Sequence, residues 1–137
     1  MGVVVLCWPE NGKDENEWDY VLSNFQCDSV YVAGEYACTN NILRDAPRVE
    51  TFDDLPAGEI VLLAPDSSRN FVPTVDLPDF THPENAIYVF GPNNLHLSDE
   101  DIGSRPPDHV VRIPTDTKDE MFAHAAYVAV MWDRRYG

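Results

Sequence analysis

At 137 residues, 44% of them hydrophobic, the chain is long enough for a core that needs neither disulfides nor a metal, and too apolar to be disordered. Twenty-four acidic residues against nine basic ones give a net charge of −15, a surface that repels nucleic acid unless its few cations gather in one patch. No apolar run approaches a membrane span, and the first residues lack the basic opening of a signal peptide.

In chain order, the run Val3-Val4-Val5-Leu6-Cys7 predicts a strand that stops at Trp8-Pro9. Glu15 to Phe25 predicts a helix with Trp18, Val21, Leu22 and Phe25 on one stripe. A second strand, Ser29 to Ala33, ends at Gly34; a short helix near Thr39 to Asp45 and a single turn at Phe52 to Leu55 follow. Ile60 to Leu63 reads as a strand ending at Ala64-Pro65, and Ile87 to Phe90 as one ending at Gly91-Pro92. The latter is apolar on both faces, the pattern of a strand covered on both sides. Ser98 with Asp101 is a capping box for a short helix, and Val110 to Arg112 is a strand ending at Ile113-Pro114. Proline cannot donate to a sheet ladder and holds its predecessor extended, so each of the four proline-terminated strands stops cleanly.

The last predicted helix, Thr117 to Arg135, opens on a Thr117/Glu120 capping box and closes on Arg134 and Arg135, which suit the negative end of its dipole. From Met121 to Trp132 it is apolar almost all the way round, so it must be buried on both sides. One side can face the sheet; the other implies a twofold subunit interface. Cys7, Cys27 and Cys38 form no C-x-x-C pair and read as reduced thiols in a cytoplasmic protein, with no metal site.

Alternating strands and helices predict an α/β fold, a doubly wound and mostly parallel sheet formed by residues 1–137 as a single domain. Ligands of such sheets sit outside the carboxyl ends of the strands, here the proline-terminated loops. Neither G-x-G-x-x-G nor a P-loop is present, so ordinary dinucleotide and triphosphate cradles are not supported.

The stretch ENAIYVFGPNNLHLSDEDIG, followed by HVVRIPTDTKDEMFAHAAYVAVMWDRR, resembles the C-terminal half of the SPOUT class of RNA methyltransferases, in particular the branch that methylates ribose 2′-hydroxyls. There a strand ends in F-G-x-E-x-x-G-L-S, the next ends in I-P, and a buried helix follows. VVVLCWPEN, a helix and FQCDSVYVAG fit the N-terminal half, so the resemblance covers nearly the whole chain. It implies a C-terminal trefoil knot, a homodimer through the last helix, and S-adenosylmethionine held largely by backbone groups. By position, the cofactor loops are Leu63-Ala64-Pro65, Phe90-Gly91-Pro92 and Arg112-Ile113-Pro114, together with Met121. Gly91 is then expected to leave space for a ligand against the backbone, where otherwise Gly91-Pro92 is a plain turn.

The catalytic pattern departs from the family. The arginine expected on the first helix, five residues before a Phe, falls on Tyr20; the motif glutamate falls on Asn93, its later glycine on His96, and the asparagine opening the last helix on Phe122. Candidate replacements are Tyr20 as an acid or base, against packing at the sheet edge, and Arg69 for positioning a substrate phosphate or carboxylate, against an exposed loop residue. His96 and His124 are further proton carriers or ordinary satisfied histidines, and Arg44, Arg48 and Arg105 would complete a basic rim if they converge. The expected function is a methyltransferase acting on tRNA or rRNA with a non-standard catalytic set. The alternatives are a catalytically degenerate homodimer of that fold, binding adenosylmethionine or a protein partner, and a flavodoxin-like nucleotide-binding domain.

Overall fold

The apolar runs with no polar face are strands buried on both sides. The computed structural model describes residues 2–63, 72–92, 97–116 and 121–137. Within them β1 (Gly2–Cys7), β2 (Ser29–Val32), β3 (Glu59–Leu63), β4 (Thr74–Asp76), β5 (Asn85–Phe90) and β6 (His109–Arg112) form one six-stranded sheet. Its order is β2-β1-β5-β3-β6-β4, and every pairing is parallel.

Alternation along each strand divides the core into two layers, because successive side chains point to opposite faces. Val5, Cys7, Val61, Ala86, Tyr88, Phe90 and Val111 face one layer, built from α1 (Gly12–Asn24), α2 (Asn41–Arg44) and α4 (Ala123–Tyr136). Leu6, Ile60, Leu62, Ile87, Val89 and Val110 face the other, which carries the 3₁₀ turn Phe52–Asp54 and α3 (Asp99–Ile102). The first layer is pinned at its centre by three rings: Trp18 of α1, Phe90 of β5 and Tyr127 of α4 lie 5.6 to 5.7 Å from one another in tilted and edge-on contacts.

Three expectations are corrected. The last helix begins at Ala123 rather than Thr117; Met121 and Phe122 are not helical, and Phe122 caps α4 with no side-chain hydrogen bond. Thr117 and Glu120 lie outside the described residues. The helix near Thr39 to Asp45 is shorter, spanning Asn41–Arg44. β4 has no counterpart in the sequence reading, since three residues between Pro73 and Leu77-Pro78 are too few to show a period; as an edge strand it tolerates prolines beside it.

Other local signals match the structure. The Ser98/Asp101 capping box is present on α3. α1 starts at Gly12, three residues before the expected Glu15, where Asn11 accepts from the Asp14 N–H at 2.9 Å, a cap that periodicity does not register.

A buried carboxylate ties this layer together. Glu15, only 1% exposed, accepts from the backbone N–H groups of Thr39 (2.6 Å) and Asn40 (2.8 Å) and from the hydroxyls of Tyr36 (3.3 Å) and Thr39 (3.4 Å). Burial alone would push this carboxyl up; the hydrogen bonds from Asn40, Thr39 and Tyr36 outweigh it and hold the group below the ordinary carboxylate value. At the opposite end of the sheet, His82 bridges the Tyr88 hydroxyl and Asp133, each at 2.7 Å, while Arg134 donates to Tyr88 at 3.0 Å and to the Pro83 carbonyl at 2.7 Å. These bonds fix the C-terminal end of α4 to the segment that enters β5.

Candidate active site

The carboxyl ends of three central strands lie side by side. Leu63 of β3 is in register with Phe90 of β5 on one side and with Val111 of β6 on the other. The loops that begin at Gly91-Pro92 and at Ile113-Pro114 therefore leave the sheet on either side of the end of β3. Ala64 and Pro65 lie outside the described residues. Phe90 anchors this edge from below through the three-ring cluster, and Ile113 packs on the same layer, whereas Pro114 is exposed.

Gly91 has no left-handed backbone conformation. A Cβ built on it would meet Leu97 Cγ at 3.5 Å, ordinary contact, so the space beside Gly91 that was expected for a ligand is, in the direction of a side chain, occupied by Leu97. A single methyl fits; the branches of a valine would press on Leu97.

The chain reaches the edge again at the start of α4. Met121 is 38% and Phe122 60% exposed. The Phe122 ring stacks on the His124 imidazole, with centroids 5.8 Å apart and planes at 10°. His124 Nε2 lies 2.7 Å from Glu17 Oε2 on α1, and its Nδ1 is buried with no hydrogen-bond partner among the described residues. Sequence reasoning singled out His124 but not Glu17, since nothing in the spacing of two separate helices announces that they lie side by side.

The other candidates are placed as follows. Tyr20 is 71% exposed on α1, so it does not pack at the sheet edge; its backbone carbonyl accepts from Asn24. Arg69 and His96 lie outside the described residues. The three arginines expected at a basic rim are each engaged: Arg44 pairs with its neighbour Asp45, Arg48 donates to the carbonyls of Gly34 and Tyr36, and Arg105 donates to those of Leu55, Pro56 and Gly58. Arg112, at the end of β6, is held by Asp76 at 2.9 Å.

The cysteines are free thiols, and burial pushes those of Cys7 and Cys27 up, away from reactivity. Among the described residues no three His, Cys, Asp or Glu side chains are grouped to hold a metal ion, and no helix is long and apolar enough to cross a membrane.

Three strand ends thus lie side by side, and Met121 and Phe122 are exposed on the segment that leads into α4.

No family model and no curated protein matches the sequence. Solved structures do match the fold. TrmJ from Z. mobilis ZM4 superposes with a TM-score of 0.77 at 13% identity, over 100% of this chain and 69% of that one. An AdoMet-bound rRNA methyltransferase from Sinorhizobium meliloti gives 0.65 at 14%, over 97% and 54%. The SpoU methyltransferase AviRb from Streptomyces viridochromogenes gives 0.65 at 15%, over 96% and 57%. The chain thus spans about half to two-thirds of these longer proteins, and the resemblance to the SPOUT class read from its motifs extends to its fold.

Proposed function

We propose that this chain is an S-adenosylmethionine-dependent methyltransferase domain of the SPOUT type that acts on RNA in the cytoplasm, as a homodimer, with a catalytic set unlike the usual one. The observation that carries the reading is the register of β5, β3 and β6, whose ends lie side by side, with Tyr127 of α4 5.7 Å from Phe90 at the end of β5, in a fold shared with an AdoMet-bound rRNA methyltransferase. Leu63, Ala64, Pro65, Phe90, Gly91, Pro92, Ile113, Pro114 and Met121 would hold the cofactor, mainly through the backbone. The bound cofactor would supply an electrophilic methyl group. The trefoil knot belongs to the same proposal, with the segment after β6 threaded before it enters α4.

The dimer contact would be α4. Ala126, Tyr127, Val130 and Met131 face the chain's own core, while Ala125, Trp132 and Tyr136 share the opposite face, with Phe122 just ahead of the helix. Three of these are more than half exposed: Phe122 at 60%, Trp132 at 58% and Tyr136 at 66%. A stripe of large apolar side chains in water marks an interaction surface.

Calorimetry with S-adenosylmethionine and S-adenosylhomocysteine tests the cofactor, and transfer of labelled methyl groups to total RNA at low salt tests the activity. Both ligands should bind, and RNA should be labelled. A second reading, cofactor binding without RNA methylation, is favoured by one observation: every described arginine is engaged by a carbonyl, a hydroxyl or a carboxylate of the chain itself. Ligand binding with no labelled RNA would decide for it.

A further inference from the structure

The carboxyl edge of the sheet continues past β5 to the end of β1, and the residue that follows β1 is a tryptophan. We infer that Trp8 is a stacking platform for an unpaired base of the RNA strand, beside the three strand ends of the proposed site. The inference rests on the RNA methyltransferase reading above and adds to it the side chain that holds the acceptor strand.

Three observations place Trp8 at that edge and fix its ring. β1 and β5 are in register through Leu6 and Val89, so Trp8 and Gly91, each two residues further on, follow the ends of neighbouring strands. On the other flank the ladder with β2 continues, the Ala33 N–H donating to the Cys7 carbonyl at 3.0 Å, and Gly34 comes up against the indole. Gly34 has φ +91°, and a Cβ built on it would lie 3.1 Å from Trp8 Cδ1, so glycine suits both the backbone and the close approach to the ring. The indole itself is half-buried: like Val4 and Tyr31 it packs on the second core layer, and the remainder of it reaches solvent. A ring already braced by the core loses little rotamer freedom when a base stacks on it.

The charge of the chain makes such a ring necessary for holding RNA. Free cations dominate affinity for a polyanion, and the described arginines are all engaged within the chain. Lys13, five residues beyond Trp8, is the one described cation without a partner, and Glu10 and Asp14 flank it. Phosphate contacts therefore contribute little at this edge. Base–aromatic stacking does not depend on net charge and contributes roughly 5- to 150-fold in affinity per base. The most exposed rings are placed elsewhere or already occupied: Tyr20 stands midway along α1, Trp132 and Tyr136 lie at the far end of α4, and Phe122 is stacked on His124. Stacking needs a base outside a duplex, so the ligand is a single strand.

Tryptophan emission tests this directly. A short single-stranded RNA of mixed sequence, end-labelled, and its duplex are each titrated into the protein at low salt, with affinity read from polarisation of the label. The single strand should bind more tightly than the duplex and should quench the emission. Trp18 is 1% exposed and Trp132 is remote from the edge, so the quench reports Trp8. Trp8→Phe keeps a ring to stack on, and should hold affinity within a few-fold while abolishing the quench. Trp8→Leu should weaken single-strand binding by about 10-fold or more. Should Trp8→Leu fail to fold by circular dichroism, the Trp8→Phe result decides alone.

A quench that persists in Trp8→Phe, or wild-type affinity in folded Trp8→Leu, would overturn the inference and leave the methyltransferase reading to its own assays of cofactor binding and methyl transfer. Equal affinity for single strand and duplex would overturn it as well. A wild-type protein that binds neither RNA would overturn both the inference and the RNA half of that reading, with cofactor binding untouched.

Discussion

Glu15 gives the sharpest test of the packing scheme, because its two oxygens have different tasks. Oε2 accepts both backbone N–H groups, from Thr39 and Asn40, while Oε1 meets the hydroxyls of Tyr36 and Thr39. Glu15→Ala would strand the two backbone donors in a site that is 1% exposed. Hydrogen bonds to a charged group contribute about 1.5–3 kcal/mol each. With partial compensation by water, the two short bonds put the loss at about 3 kcal/mol, or about 10 °C in Tm for a chain of this size. Glu15→Gln differs in kind. Its carbonyl oxygen can replace Oε2, and its amide can donate to the two hydroxyls, so the geometry survives and the cost should be about 1 kcal/mol.

The pH dependence of Glu15 has a definite sign. The folded-state group is held below its ordinary value of 4.5, so its contribution is fully present above that value and is lost as pH falls through the lower, folded value. Urea unfolding at about pH 7 and about pH 3, at one fixed protein concentration, reads both effects. The wild-type advantage over Glu15→Gln should shrink at the acid pH. Equal damage from Ala and Gln, or an advantage independent of pH, would refute the account.

Three further outcomes are expected. Gly91→Val, whose branches press on Leu97, should lower stability in urea unfolding, whereas Gly91→Ala, whose Cβ meets Leu97 at 3.5 Å, should keep the fold. Ala125→Arg, on the outward face of α4, should give a folded monomer in sedimentation. Val128→Asp is a poorer probe because Val128 also packs on the chain's own core. Tyr20→Phe should leave methyl transfer unchanged, since the phenol stands in solvent, while Arg69→Ala should reduce transfer without reducing cofactor binding.

The parts of this fold legible in the sequence are those encoded by local contrast. Five of the six strands announce themselves as two-sided apolar runs cut off by proline or glycine, and the Ser98/Asp101 box marks α3 to the residue. β4 escapes because it is short and lies at the edge, with its pairing supplied wholly by β6. The start of α4 is misplaced by a local signal: Thr117 and Glu120 offer a formally good cap, yet Met121 and Phe122 are not helical and α4 begins at Ala123.

At the candidate site the strand-end residues were legible and the polar pairings were not. Glu15 and Glu17 sit two residues apart on an acidic helix, and no local rule says that one caps a distant loop while the other meets His124. The arginines were misread in the same way. Arg48 and Arg105 look like free cations in a sequence, but their guanidinium groups are used to satisfy carbonyls of irregular backbone.

That use of arginine bears directly on how RNA could be held. Affinity for a polyanion comes chiefly from cations that are free to replace condensed counterions, and for single strands log K falls with log salt at a slope of about −0.7 per phosphate contacted. Seven of the nine basic residues lie among those described, and six of the seven, all arginines, already have partners within the chain. With those six engaged, at most Lys13, Arg69 and Lys118 are left to contact phosphate, opposed by 24 carboxylates. Three such contacts per protomer set a slope of about −2, against the much steeper dependence of a basic RNA-binding surface. Binding to labelled tRNA across a salt series should therefore be weak, with a slope no steeper than about −2 per protomer. A markedly steeper slope would mean that arginines now bonded to carbonyls are released on binding, and that the electrostatic account built on their present partners is wrong.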